Sequence, residues 1–184
     1  SGELVRLSVV DGERLTGVAR AQGARQGLRY DPDMGSDARL SCSSSGWAWL
    51  SSLSDDEGLA LVAKQGLGLP DQFGPGAPTT LRAVLDAVHT TRERGYSMTT
   101  DTYSLGLSAI SAPVRLANQP AMGVLTIAGP TVRFTAARMQ SLVPELLSVA
   151  SQLAAASGAS PFFNLTADTG ESGSATGRKP IYAV

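Results

Sequence analysis

The sequence predicts an α+β domain with a mainly antiparallel sheet flanked by helices. Three observations carry that prediction. Two extended segments joined by Asp11-Gly12 open the chain, and three segments with apolar residues at helical spacing fill its middle. After Gly95 the apolar period shortens to that of strands, before one long amphipathic segment closes the pattern. The expected order is two strands, a short strand, three helices, three strands and one helix.

Residues 4–10 and 14–21 are read as paired strands, because Asp-Gly suits the tight hairpin turns whose central positions need positive φ. Residues 22–39 carry Gly23, Gly27, Pro32 and Gly35, and read as a long loop with one short strand at 28–30. The serines from Ser41 to Ser45 precede Trp47, Ala48, Trp49 and Leu50, where they serve as helix N-caps. Ser54 and Glu57 have capping-box spacing, so a second helix begins there and ends near Gly66. Residues 66–77 form a glycine- and proline-rich loop. Thr79 or Thr80 caps a third helix with Leu81, Val84, Leu85 and Val88 on one face, and Gly95 stops it. Strands over 96–102, 107–116 and 122–128 suggest an antiparallel meander. Thr135 caps the last helix, whose stripe of Met139, Leu142, Val143, Leu146, Leu147, Ala150 and Leu153 should pack across the sheet; Pro144 is expected to bend or interrupt it.

The chain has 184 residues, 42% of them hydrophobic and 17% charged, with a formal net charge of -1, a balance that suits one folded domain and excludes disorder throughout. We assign residues 1–157 to that domain and 158–184, rich in serine, threonine, glycine and alanine, to a flexible C-terminal extension in which Phe162-Phe163 is a local docking pair. No apolar run approaches the roughly 18 to 20 residues of a membrane-spanning helix, and no signal-peptide pattern is present, so a cytoplasmic location without membrane contact is expected. One cysteine, Cys42, and one histidine, His89, provide neither a disulfide nor a metal cluster, and no metal or cofactor is expected. Thirteen arginines and two lysines are scattered without a basic stripe, which argues against direct nucleic-acid binding; the arginine excess reads as compositional.

No nucleophile elbow, P-loop or dinucleotide fingerprint occurs. His89 reads as a boundary residue of the third helix and Cys42 as an inert near-core thiol. Asn164-Leu165-Thr166 is a chance sequon. A hydrolase using a serine among 43–45 lacks an evident base, so no enzyme activity is expected. The serine run is more informative. At a helix start it offers free N–H groups, hydroxyls and the positive end of the dipole, which favour a carboxylate or phosphate, whereas simple capping accounts for one serine of three. Thr126 and Ala128 share a strand face, and Ala109 on the preceding strand is also small. Such a face either meets a tightly packed helix or leaves room for a ligand.

Ser41 to Leu50, the segment from Arg94-Gly95-Tyr96 through Asp101-Thr102-Tyr103 to Leu105-Gly106-Leu107, Ile110-Ser111-Ala112-Pro113-Val114, Thr126-Ile127-Ala128-Gly129-Pro130 and Phe134-Thr135 together resemble the C-terminal effector-binding domain of IclR-family transcriptional regulators. The likeness runs over residues 3–155. It implies a GAF-like domain that senses a small organic acid, forms a homodimer or homotetramer, and controls operator DNA allosterically through a winged helix-turn-helix of which residues 1–184 show no trace. Carried over by position, the effector contacts are Ser44, Ser45, Thr99, Ala109, Thr126 and Ala128, with Tyr30, Ala38 and Leu107 as apolar walls. The sequence departs from the family where Ser41 replaces a frequent histidine, Trp47 a basic residue, Thr99 and Thr100 acidic residues, and Ala109 and Ala128 cysteine or serine. Those departures imply a larger, partly aromatic or aliphatic effector with one anionic end at the Ser44 and Ser45 N–H groups. Trp47 and Trp49 fit core packing, subunit contact or a ligand wall. A free-standing GAF-like sensor acting on a protein partner is the alternative function.

Overall fold

The Asp11-Gly12 turn forms with Gly12 at φ 58°, folding β1 (Leu4–Asp11) back onto β2 (Arg14–Gln22) with Asp11 opposite Arg14. This computed structural model describes residues 1–32, 37–68 and 70–157. The register shifts between Leu7 and Ser8, which face Ala19 and Gly17, so Val18 is an extra residue on β2 and forms a bulge. The meander follows as β3 (Ser97–Thr100), β4 (Leu107–Val114) and β5 (Gly123–Pro130), and β1 pairs with β5 to give the antiparallel order β2-β1-β5-β4-β3. Every residue of the central strand β5 is buried.

The two faces of the sheet carry separate cores. On one, Ile110, Ala112, Leu125 and Ile127 pack under α4 (Ala136–Ala156) through Phe134, Met139, Leu142, Leu146 and Ala150. On the other, α1 (Ser44–Leu50), α2 (Asp55–Gln65) and α3 (Leu81–Arg94) enclose Leu15, Leu40, Trp47, Trp49, Val62, Val84 and Val124. Both tryptophans are therefore core residues, and the Trp47 indole N–H donates to Ser41 O at 3.0 Å. The caps read from the sequence form at Ser54, where the capping box with Glu57 is complete, and at Thr80 and Thr135; Gly95 ends α3 in the left-handed region at φ 79°.

Three expectations differ from the structure. Residues 28–30 form no strand: the Gln22 amide donates to Tyr30 O and Arg20 to Pro32 O, so side chains of β2 hold this loop where ladder hydrogen bonds would have done. α4 runs unbroken past Pro144, because Pro144 and Gln140, whose carbonyl loses its helical donor, both lie on the exposed side and no buried carbonyl is left unpaired by the ring. Leu147 falls outside the buried stripe and is exposed. Residues 158–184, including Phe162, Phe163 and the Asn164 sequon, lie outside the described residues.

Two stability predictions follow from this packing. Phe134 is fully buried between β5 and α4, so Phe134→Ala should cost about 3–5 kcal/mol in a urea titration. Hydrogen bonds from the Ser54 hydroxyl and N–H hold the Glu57 carboxyl below its usual value, and His89, then Arg92, do the same for Asp55. Both contributions are complete above the unfolded carboxylate pKa near ~4 and are lost as pH falls through the lower folded values. The urea midpoint should therefore fall on acidification from pH 6 to pH 3, and by less in a Ser54→Ala, His89→Ala variant.

Candidate functional site

Antiparallel register sets two rows of directly opposed residues across the sheet face under α1. The first runs Thr99, Ala109, Ala128, Leu4 and the second Ser97, Ser111, Thr126, Arg6. The first row is mostly small and apolar. The second is polar and largely satisfied within itself: Ser111 and Thr126 share a hydrogen bond of 2.8 Å, and the Ser97 hydroxyl meets the Ser44 hydroxyl at 2.6 Å and donates to its carbonyl at 2.7 Å. That last pair ties the start of α1 to β3. Gly46 lets the same turn close tightly, since a Cβ there would stand 2.7 Å from Leu40 Cα.

Between these rows, the start of α1 and the 28–32 and 103–107 loops lies a cavity of about 720 Å³, counting its open mouth. Its lining includes Tyr30, Ser44, Ser45, Thr99, Leu107, Ala109, Thr126 and Ala128, so the structure brings all eight sequence-selected positions together, along with Ala38. The serines divide their tasks. Ser43 is the N-cap and accepts from Gly46 N at 3.0 Å, Ser44 turns to Ser97, and the Ser45 hydroxyl lies 3.3 Å from that of Ser43. Both Ser44 and Ser45 line the cavity, and their amide N–H groups, as the first two of a helix, have no intrahelical acceptor.

The lining also contains charged groups that sequence reasoning passed over, Arg6 and Arg39 as part of a compositional arginine excess and Asp37 as part of the 22–39 loop. Arg6 had a readable signal, since Leu4, Arg6 and Ser8 share one face of β1 and an arginine interrupts an inward row. Arg39 had none, because a loop places it. The Arg6 guanidinium lies against Gly17 on β2, where any Cβ would collide with it. The Arg39 guanidinium stacks 5.3 Å over the Phe73 ring and donates from Nη1 to Gln65 O at 3.4 Å; its Nε is buried without a partner, and no carboxylate pairs with it, among the described residues. Asp37 accepts from Thr16 at 2.9 Å and pairs with Arg14 at 3.5 Å. Burial, then the neighbouring Tyr103, pushes the Tyr30 phenol up to about 12 against a lowering by Arg6, so its hydroxyl stays a donor at neutral pH.

The loop that carries Tyr30 is fixed by Arg133, which holds Glu3 through Nε to Oε1 (2.6 Å) and Nη2 to Oε2 (2.9 Å) while Nη1 donates to Leu28 O at 2.6 Å. Gly129 leaves the room this carboxylate occupies. His89 is elsewhere, on α3, bonded to Asp55 at 2.7 Å. Among the described residues no group of three histidine, cysteine, aspartate or glutamate side chains is placed to hold a metal. The site therefore presents two arginines, and one aspartate already paired with Arg14 and Thr16, around a small apolar floor.

Residues 1–155 match the family described as bacterial transcriptional regulator IclR C-terminal. The chain is similar to the acetate operon repressor of Salmonella typhimurium, at 28% identity over 159 residues that cover 86% of this chain and 57% of the relative. Among solved structures it resembles the inducer-binding domain of the PobR transcription factor from Acinetobacter, a double mutant bound to 3-hydroxybenzoic acid (24% identity, TM-score 0.71, covering 84% of this chain and 89% of that one). It also resembles the C-terminal domain of the E. coli transcriptional regulator KdgR (21% identity, TM-score 0.70, covering 84% and 87%). The chain spans little more than half the length of the curated relatives it matches.

One consequence of this packing is chemical. Cys42 is buried, and burial pushes its thiol up to about 11. The native protein should resist an aromatic disulfide reagent at pH 8 and react fully once unfolded in guanidinium; rapid labelling of the folded protein would contradict the described packing.

Proposed function

The chain belongs to the IclR family of bacterial transcriptional regulators, whose C-terminal domain it matches over residues 1–155, and from that premise we propose that the cavity beside α1 is its effector site. The effector is a small organic acid with an apolar body. Its anionic end lies toward the Ser44 and Ser45 N–H groups, and its body covers Ala109, Ala128 and Leu107 between Tyr30 and Thr99. Residues 1–157 form this effector-binding domain, and 158–184 extend from it. The domain works in the cytoplasm, without a cofactor, as a homodimer or homotetramer. It acts on operator DNA through a winged helix-turn-helix carried outside these 184 residues. Effector binding favours one arrangement of the assembly and changes operator affinity by a coupling free energy of about 1–3 kcal/mol.

The observation that carries this reading is convergence. Residues from β3, β4, β5, the start of α1 and the loop after β2, distant in sequence, meet on one cavity that also contains Arg6 and Arg39. The chain's resemblance to an inducer-binding domain holding 3-hydroxybenzoic acid supports the same ligand class. The matched curated relatives are transcriptional repressors and not enzymes, which accords with a site lacking a serine–histidine pair.

A thermal-shift screen of benzoate, the hydroxybenzoates and medium-chain carboxylates tests the reading. An acid present at a hundred times its Kd should stabilise the native state by about 2.7 kcal/mol and raise Tm by roughly 5 to 10 °C. Ser45→Trp, placed at the cavity wall, should abolish the shift. An acid that stabilises the variant as well as the parent would place the binding site elsewhere.

A further inference from the structure

The charges around the cavity sort to its two sides. Arg39 stacks on Phe73, whose ring lies 6.0 Å from that of Tyr103, and Tyr103 follows β3. The backbone agrees, since Gly74 N donates to Thr102 O. The Arg39 guanidinium therefore stands on the β3 side, the same side as the Ser44–Ser97 contact. Arg6 rises from β1 with its guanidinium leaning over Gly17 of β2, on the far side. Between them lies the apolar row of Ala109, Ala128 and Leu4. Asp37, the one acidic group in the lining among the described residues, is held by Arg14 and Thr16.

Resting on the effector-site reading above, we infer that the ligand is a dianion: an organic acid with two carboxylates joined by an apolar spacer, one end at Arg39 and the other at Arg6. Arg39 is the firmer anchor. It lines the cavity and no carboxylate compensates its charge among the described residues, so a ligand carboxylate supplies what the protein does not. Stacking on Phe73 keeps the guanidinium plane in place for a bidentate contact. Arg6 takes part through position and capacity, since a guanidinium has five N–H donors and engages more than one partner at a time. The sheet sets the direction of the spacer, which runs across the strands from the β3 side toward β1. The alanines at 109 and 128 leave space for such a spacer.

Calorimetric titration of the 184-residue chain with matched pairs tests this: hexanoate against adipate, and benzoate against terephthalate. The dicarboxylate of at least one pair should bind at least about tenfold more tightly than its partner, as expected of an added hydrogen-bonded ion pair. Arg39→Gln and Arg6→Gln should each remove that advantage, while Arg39→Lys retains part of it. Equal or tighter binding of the monocarboxylates, an unchanged preference in both glutamine variants, or no binding by any of the four acids would overturn the dianion inference. Ala109→Trp separates this from failure of the cavity reading, with Ala128→Phe as a second block should the first not fold. Monocarboxylate binding lost in the blocked variant leaves the cavity as the ligand site and removes only the dianion. Acid binding that survives both blocks removes the cavity assignment and the dianion together.

Discussion

The pairing of β1 with β5 decides what the cavity contains. Leu4 lies opposite Ala128 and Arg6 opposite Thr126, so the even-numbered side chains of β1 face α1 while Val5 and Leu7 face α4. A slip of one residue would exchange the two sets and drive the Arg6 guanidinium into the apolar layer formed with Leu125 and Ile127. The fit of Val5 and Leu7 beneath α4 thereby fixes the composition of the opposite face. Two further contacts lock the register at its ends: the tight turn at Gly12, and Glu3 gripped by Arg133.

The polar groups under α1 are of two kinds. The hydroxyls of Ser97, Ser111 and Thr126 are engaged with one another or with Ser44, and they fasten the helix to the sheet. Arg6 and Arg39 line the cavity beside them. Saturation of the hydroxyls matters because neutral donors that are already satisfied hold the helix in place without engaging the charge of a ligand. Phe73 and Gly68 crowd the Arg39 head into one position, so little conformational freedom is left to lose on binding.

Much of this fold was readable because local chemistry and global packing agree. Ser54 with Glu57, Thr80, Thr135, Gly95 and Asp11-Gly12 act within a few residues of themselves, and each element formed where its cap or turn placed it. The site was readable by position, through family resemblance and through period-two facing on β4 and β5. Its charge was not. Arg39 reaches the cavity because Leu40 N and Arg39 itself bind the end of α2 through Gln65, a contact across some two dozen residues that no local pattern announces. Residues 28–30 misled for a similar reason, since an extended tripeptide becomes a strand only if an edge is free to receive it, and here the side chains of Arg20 and Gln22 held the loop instead. Pro144 misled because the exposure of its helix face could be judged only once the buried stripe was in place.

The margins of the sheet differ from its centre. β3 is four residues long, and β2 carries a bulge at Val18, the charged side chains of Arg14 and Arg20, and a single bridge from Thr16 to Asp37 across its outer edge. A short edge on one side and a twisted, charged and partly covered edge on the other give an incoming strand no long flat ladder to join. Among the described residues, an open five-stranded sheet with a fully buried middle strand is in this way protected from polymerising through its backbone.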